Sequence, residues 1–248
     1  MSWIHAVIDV PAEQHASAAD FWGVVLGWPT GRIWDGHPEL RSFEPPTGTS
    51  YVHLQEIDGA PRIHLDVESA DPAGAVERAV GLGGELVAEH ARWRTLRSPG
   101  GLPFCLLQEA EHDAPGPVGF TDGHRSRLVQ VCIDSPRAAH AGEVAFWRDL
   151  LGDRWVPSRG REFAGKWHDD AGSPIQLLFQ ELDEDDGPVR AHVDLGTDDL
   201  AADVRRLALL GAADVGAGRG WHVFRDPCGL PFCTTLNSPE RVRRRDLG

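Results

Sequence analysis

Arg97-Ser98-Pro99-Gly100-Gly101-Leu102-Pro103-Phe104-Cys105 recurs as Arg225-Asp226-Pro227-Cys228-Gly229-Leu230-Pro231-Phe232-Cys233, with seven of the nine positions identical. Ser/Asp-Pro-x-Gly is turn chemistry: proline presets φ, and the glycine supplies a positive φ. The apolar run that follows reads as a strand. A tight turn therefore feeds a strand twice in one chain, which makes internal duplication the first question.

The duplication extends outward in both directions. His5-Ala6-Val7-Ile8-Asp9-Val10-Pro11 and Gln130-Val131-Cys132-Ile133-Asp134-Ser135-Pro136 stand 125 residues apart, each a strand candidate ended by proline. At the same shift His15 meets His140, Phe21-Trp22 meets Phe146-Trp147, and Leu26-Gly27 meets Leu151-Gly152. The apolar spacing predicts helices over 12–26 and 137–151, with Gly27 and Gly152 where a C-terminal cap belongs. Short strands are expected near 31–34, 40–44 and 51–56, and again near 154–157, 162–168 and 174–181. Arg62-Ile63-His64-Leu65-Asp66-Val67 then pairs with Arg190-Ala191-His192-Val193-Asp194-Leu195, now at a shift of 128. Asp71-Pro72 and Asp199 are N-terminal signals for a second helix in each copy. Each copy thus reads as strand-helix-strands twice over. The expected division is 1–110 for the first copy, 111–125 for a Pro/Gly-rich linker, 126–240 for the second copy and 241–248 for a basic tail.

Composition bounds the function. The chain has 248 residues, 41% hydrophobic and 25% charged, the balance of a globular protein with room for two cores. A net charge of −14 repels phosphate backbones and argues against nucleic acid as a partner. No apolar run reaches membrane-spanning length and no leader-like N-terminus is present, so the expectation is a cytoplasmic protein with no membrane partner. Cys105, Cys132, Cys228 and Cys233 form no C-x-x-C pair and are expected to stay reduced. No P-loop, dinucleotide fingerprint or nucleophile elbow occurs, so no organic cofactor is expected.

The order of elements and the repeated turn resemble the vicinal oxygen chelate superfamily, which includes glyoxalases, bleomycin-resistance proteins and extradiol dioxygenases. The resemblance spans about 3–109 and 127–239. It implies an α+β fold of two tandem glyoxalase-like modules, each a pair of βαβββ units forming a curved-sheet cup. Metal-using members take ligands from the first, fourth, fifth and last strands. Carried over, those positions are His5, Gln55 or Glu56, His64 and Cys105 in the first copy, and Gln130, Gln180 or Glu181, His192 and Cys233 in the second. The last-strand residue is normally Glu, so both cysteines depart from the pattern. Glu109, on the same strand face as Cys105, is the substitute carboxylate for a His5/His64/Glu109 site, whereas Asn237 at the matching place is a poor ligand.

These departures lead to a first expectation. The chain is a binding or resistance-type protein that holds a small organic ligand in the cup, without the usual metal and as a monomer or homodimer. Trp34, Gln55, Cys105, Gln130, Trp167, Gln180 and Cys233 are the expected pocket residues. The alternative is a lyase, isomerase or dioxygenase that uses divalent Zn, Fe, Mn or Ni. Between them stands a metal-free enzyme with His64 and His192 as catalytic bases. A purely structural module with a filled cup is the remaining reading.

Overall fold

The computed structural model describes residues 3–152, 154–158, 162–168 and 173–240. The basic stretch Arg241–Arg245 lies outside them. The first copy runs β1 (Ile4–Val10), α1 (Ala12–Leu26), β2 (Thr30–Trp34), β3 (His37–Phe43), β4 (Val52–Glu56), β5 (Arg62–Ser69), α2 (Pro72–Gly81), β6 (Glu85–Glu89), β7 (Trp93–Arg97) and β8 (Pro103–Gln108). After β9 (Val118–Gly119), the second copy runs β10 (Arg125–Ser135), α3 (Arg137–Leu151), β11 (Trp155–Pro157), β12 (Phe163–Trp167), β13 (Gln176–Glu181), β14 (Arg190–Thr197), α4 (Leu200–Leu209), β15 (Ala213–Ala217), β16 (Trp221–Arg225) and β17 (Pro231–Thr235). The sheets follow the same order in both copies: β2-β3-β4-β1-β5-β8-β7-β6 and β11-β12-β13-β10-β14-β17-β16-β15.

Local chemistry sets the element ends. Asp71 accepts the Gly74 N–H and Asp199 the Ala202 N–H, so each second helix starts on a carboxylate cap. Gly27 takes the left-handed conformation that closes α1 (φ 66°). The repeated turns close alike. The N–H of Gly101 donates to Ser98 O and that of Gly229 to Asp226 O, both at 2.9 Å. Gly101 and Gly229 have φ of 90° and 85°, as the turn chemistry requires. One boundary differs from the sequence expectation. β10 begins at Arg125 rather than near Gln130, because Arg125 and Ser126 pair with β9 and Arg127, though charged, is buried with its guanidinium donating to Pro239 O at 2.8 Å. Polar residues in a strand that is buried nearly throughout give no alternating signal.

Contacts divide the chain into two compact units, each taking one half from each copy. One comprises Met1–His5, His64–Glu111 and Val131–Ala191; the other comprises Ala6–Ile63, His112–Gln130 and His192–Gly248. In the first unit, Phe146 and Trp147 of α3 pack edge-on against Phe104 of β8, with ring centroids 5.9 and 5.0 Å away. In the second unit, Phe21 and Trp22 of α1 pack against Phe232 of β17 at 5.9 and 5.2 Å. The repeated Phe-Trp pair thus meets the repeated turn-strand of the opposite copy in both units. Such aromatic pairs add about 0.5–1.5 kcal/mol each beyond area burial.

Candidate functional site

Strand alternation splits β5 into two faces. Leu65 and Val67 are fully buried, whereas His64, Asp66 and Glu68 share the opposite face. β8 runs parallel to β5 with Asp66 opposite Cys105 in register. Because Phe104 points to the helix side, Cys105 stands with the polar residues. The His64 Nε2 lies 3.3 Å from Asp66 Oδ1, and His64, Asp66 and Cys105 bring their donor atoms within 4.8 Å of one another. The thiol also lies 3.7 Å from Thr95 Oγ1. Burial first, and then the Asp66 charge, push the Cys105 thiol above its ordinary range, while the contact with His64 pulls it back. It is therefore a neutral thiol near neutral pH, and a poor nucleophile.

The second copy repeats this arrangement. β14 and β17 are parallel with Asp194 opposite Cys233. His192 Nε2 lies 3.2 Å from Asp194 Oδ1 and 3.6 Å from Cys233 Sγ. The Gln130 side-chain amide donates to Asp194 Oδ2. One imidazole nitrogen thus faces both the carboxylate and the thiol. A relay that activates cysteine needs the carboxylate on the other ring nitrogen, so Asp194 is not placed to serve Cys233 in that way.

The remaining expected residues are placed as follows. His5 is buried, and its Nε2 meets Glu68 Oε1 at 3.2 Å, while Glu68 Oε2 accepts the Ala110 N–H at 3.0 Å. Glu109 is exposed beyond the end of β8 and joins none of the potential metal-ligand groups among the described residues. The structure therefore does not bring His5, His64 and Glu109 together as one three-ligand group: His5 is drawn to Glu68, and the carboxylate beside His64 is Asp66. Gln55 sits half-buried on β4, in register with Asp9 and Leu40. Gln180 gives its amide to Glu162 at 2.9 Å and accepts from Cys132 at 3.7 Å. Trp167 is fully buried. Trp34 is half-buried, donates its indole N–H to Ser42 Oγ at 3.0 Å, and lies edge-on to His53 at 5.2 Å.

Sequence reasoning missed Asp66, Asp194 and Glu68 as site residues, although the repeated H-x-D spacing carried the signal: residues two apart on a strand share a face. It also missed Ser42 and His53, whose Oγ–Nδ1 contact of 3.0 Å depends on β3–β4 register. No local motif announces that pairing.

Comparisons with known proteins agree with this architecture. A family profile described as "Glyoxalase-like domain" matches residues 5–107 and again 130–235. No curated protein matches the chain in sequence. Among solved structures, a Mn(II)-bound glyoxalase from Novosphingobium aromaticivorans is similar with a TM-score of 0.70 at 18% identity, covering 98% of this chain and 85% of that one. A 2,2',3-trihydroxybiphenyl 1,2-dioxygenase from Sphingomonas wittichii is similar with a TM-score of 0.60 at 15% identity, covering 94% and 90%. At such identities the likeness concerns the fold alone. With one profile matched twice along a duplicated sequence, the chain belongs to the glyoxalase-like domain family of the vicinal oxygen chelate superfamily, as a tandem member carrying two copies.

Proposed function

We propose that the protein binds a small organic molecule bearing amine or hydroxyl groups, held at the polar sheet face that carries a histidine, an aspartate and a cysteine in each copy. The observation that supports this reading is the repetition of His64/Asp66/Cys105 as His192/Asp194/Cys233 in the same register. Residues kept only for packing have no reason to preserve a costly polar trio on a sheet face. The carboxylates and imidazoles supply acceptors for a donor-rich ligand, and the acidic character of the whole chain favours a cationic one. The half-buried Trp34 offers an aromatic surface beside His53.

Binding is favoured over covalent chemistry because burial pushes the Cys105 thiol up in the first copy, and His192 presents one nitrogen to both Asp194 and Cys233 in the second. A metal-dependent lyase, isomerase or dioxygenase built on His5, His64 and Glu109 is less well supported, since His5 pairs with Glu68 and Glu109 is exposed. The test is a thermal-shift screen of amines, polyols and aromatic amines against the intact chain. Stabilising hits are expected to lose their effect in the Asp66→Asn/Asp194→Asn variant. Hits that stabilise this variant as well as the parent would overturn the reading.

A further inference from the structure

We infer that the ε-amine of Lys166 is a covalent attachment point for an aldehyde with an apolar body, held reversibly as an imine. The site uses no residue of the two His-Asp-Cys trios and does not depend on the organic-ligand reading given for them.

Three observations carry it. First, Lys166 is the only lysine among the 24 lysine and arginine residues of the sequence. Every other basic side chain of that set is a guanidinium, which stays charged and cannot act as an amine nucleophile. Second, the fold sets this amine among apolar neighbours. Lys166 is half-buried on β12, with Val156 of β11 and Leu178 of β13 directly opposite it in register. Directly opposed residues share a sheet face. Trp167 and its register partner Leu177 are fully buried on the other face, so Lys166 and Leu178 stand on the more accessible one. Third, no carboxylate among the described residues offsets the ammonium charge, in a chain with 38 acidic side chains. Glu162, just before β12, accepts the Gln180 amide at 2.9 Å instead. Burial therefore holds the Lys166 amine below its ordinary range with nothing to oppose it. A part-buried ammonium without a counter-charge is costly, and packing or charge alone would be served as well by the arginine used elsewhere. An uncharged, desolvated amine is what imine formation requires.

The step is a condensation. The neutral amine adds to the carbonyl carbon, a C–N bond forms, and the carbonyl oxygen takes up a proton. That oxygen then leaves as water, carrying in net the two amine protons, and a C=N bond remains. No oxidant, reductant or metal is consumed. Val156 and Leu178 offer apolar surface to the body of the aldehyde.

The experiment treats the intact chain with benzaldehyde and cyanoborohydride at pH 7 and reads alkylation by intact mass and peptide mapping. An unstructured peptide with one exposed lysine is the reference. Lys166 is expected to react at least about tenfold faster than the reference lysine, with a rate that saturates in benzaldehyde. The advantage should vanish in denaturing urea. Val156→Asp sets a carboxylate opposite the amine and should remove most of the advantage, whereas Val156→Asn should keep it. Labelling no faster than the reference, equal rates in the folded and unfolded chain, or an advantage undiminished in Val156→Asp would overturn the inference. Each of these leaves the organic-ligand reading standing, because that reading is tested at Asp66 and Asp194.

Discussion

The indole N–H of Trp22 donates to Oδ2 of Asp226 at 2.9 Å, so a residue of the first copy's first helix is held by the second copy's repeated turn. The same carboxylate closes its own turn by accepting the N–H groups of Cys228 and Leu230 through Oδ1, both at 2.9 Å. In the other compact unit the matching tryptophan, Trp147, donates to Glu143 at 2.7 Å, and Glu143 accepts the Gly100 N–H of the first copy's turn at 2.9 Å. A carboxylate serves tryptophan and turn in both units, but it has changed places. It is Asp226 on the turn opposite Ala18 on the helix in one, and Glu143 on the helix opposite Ser98 on the turn in the other.

Asp226→Ala should be among the most destabilising single substitutions in the chain. It strands the Trp22 indole and two turn N–H groups in a buried setting, where one lost partner costs about 1–3 kcal/mol. A loss of about 3 kcal/mol is expected in urea unfolding at neutral pH. A change below about 0.5 kcal/mol, the size of an ordinary surface substitution, would contradict the assigned contact.

Gly100 is fixed by space rather than by a positive φ. A Cβ there would collide with Val189 Cγ2 and come within 2.9 Å of Glu143 Oε2. Gly100→Ala should therefore displace Glu143 and cost about 1–3 kcal/mol. Cys228→Ala, at the matching turn position, should cost clearly less. Equal losses in calorimetric unfolding would speak against the crowding account.

The exchanged carboxylate can be moved back. Asp226→Ser with Cys228→Gly should weaken the second unit, and adding Ala18→Glu should return at least about 1 kcal/mol by rebuilding the Ser98/Gly100/Glu143 arrangement. A triple variant no more stable than the double would show that the two units are less equivalent than their contacts imply.

Burial raises the Glu143 carboxyl above its ordinary 4.5, and this outweighs the Ser98, Trp147 and Gly100 hydrogen bonds that lower it. A carboxyl with a raised folded value binds its proton more tightly in the folded state. Its contribution is full below the unfolded value and is lost as pH climbs through the folded one. The melting temperature of Glu143→Gln should therefore gain on the parent as pH rises from about 4.5 towards neutrality. A constant difference across that range would contradict the direction given.

Much of the fold was legible because duplication supplied an internal comparison. The helices over 12–26 and 137–151 coincide with α1 and α3, since Phe21-Trp22 and Phe146-Trp147 mark buried helix faces twice. What the pattern lacked was partner identity. Nothing local tells Phe104 that it will meet Trp147 of the other copy rather than Trp22 of its own. In the candidate site, His64, His192, Cys105 and Cys233 emerge from motif position. The H-x-D spacing already sets Asp66 and Asp194 on the histidine face, but which last-strand residue each one stands opposite depends on register across parallel strands. Trp167 sat on a strand where sequence allows either face, and its indole is buried.

The most direct measurement is a crystal structure of the protein with its strongest stabilising ligand. Density is expected against the β5/β8 or β14/β17 polar face, with a ligand donor within hydrogen-bonding distance of Asp66 or Asp194. A ligand seated elsewhere, with both His-Asp-Cys trios untouched, would contradict the proposed function.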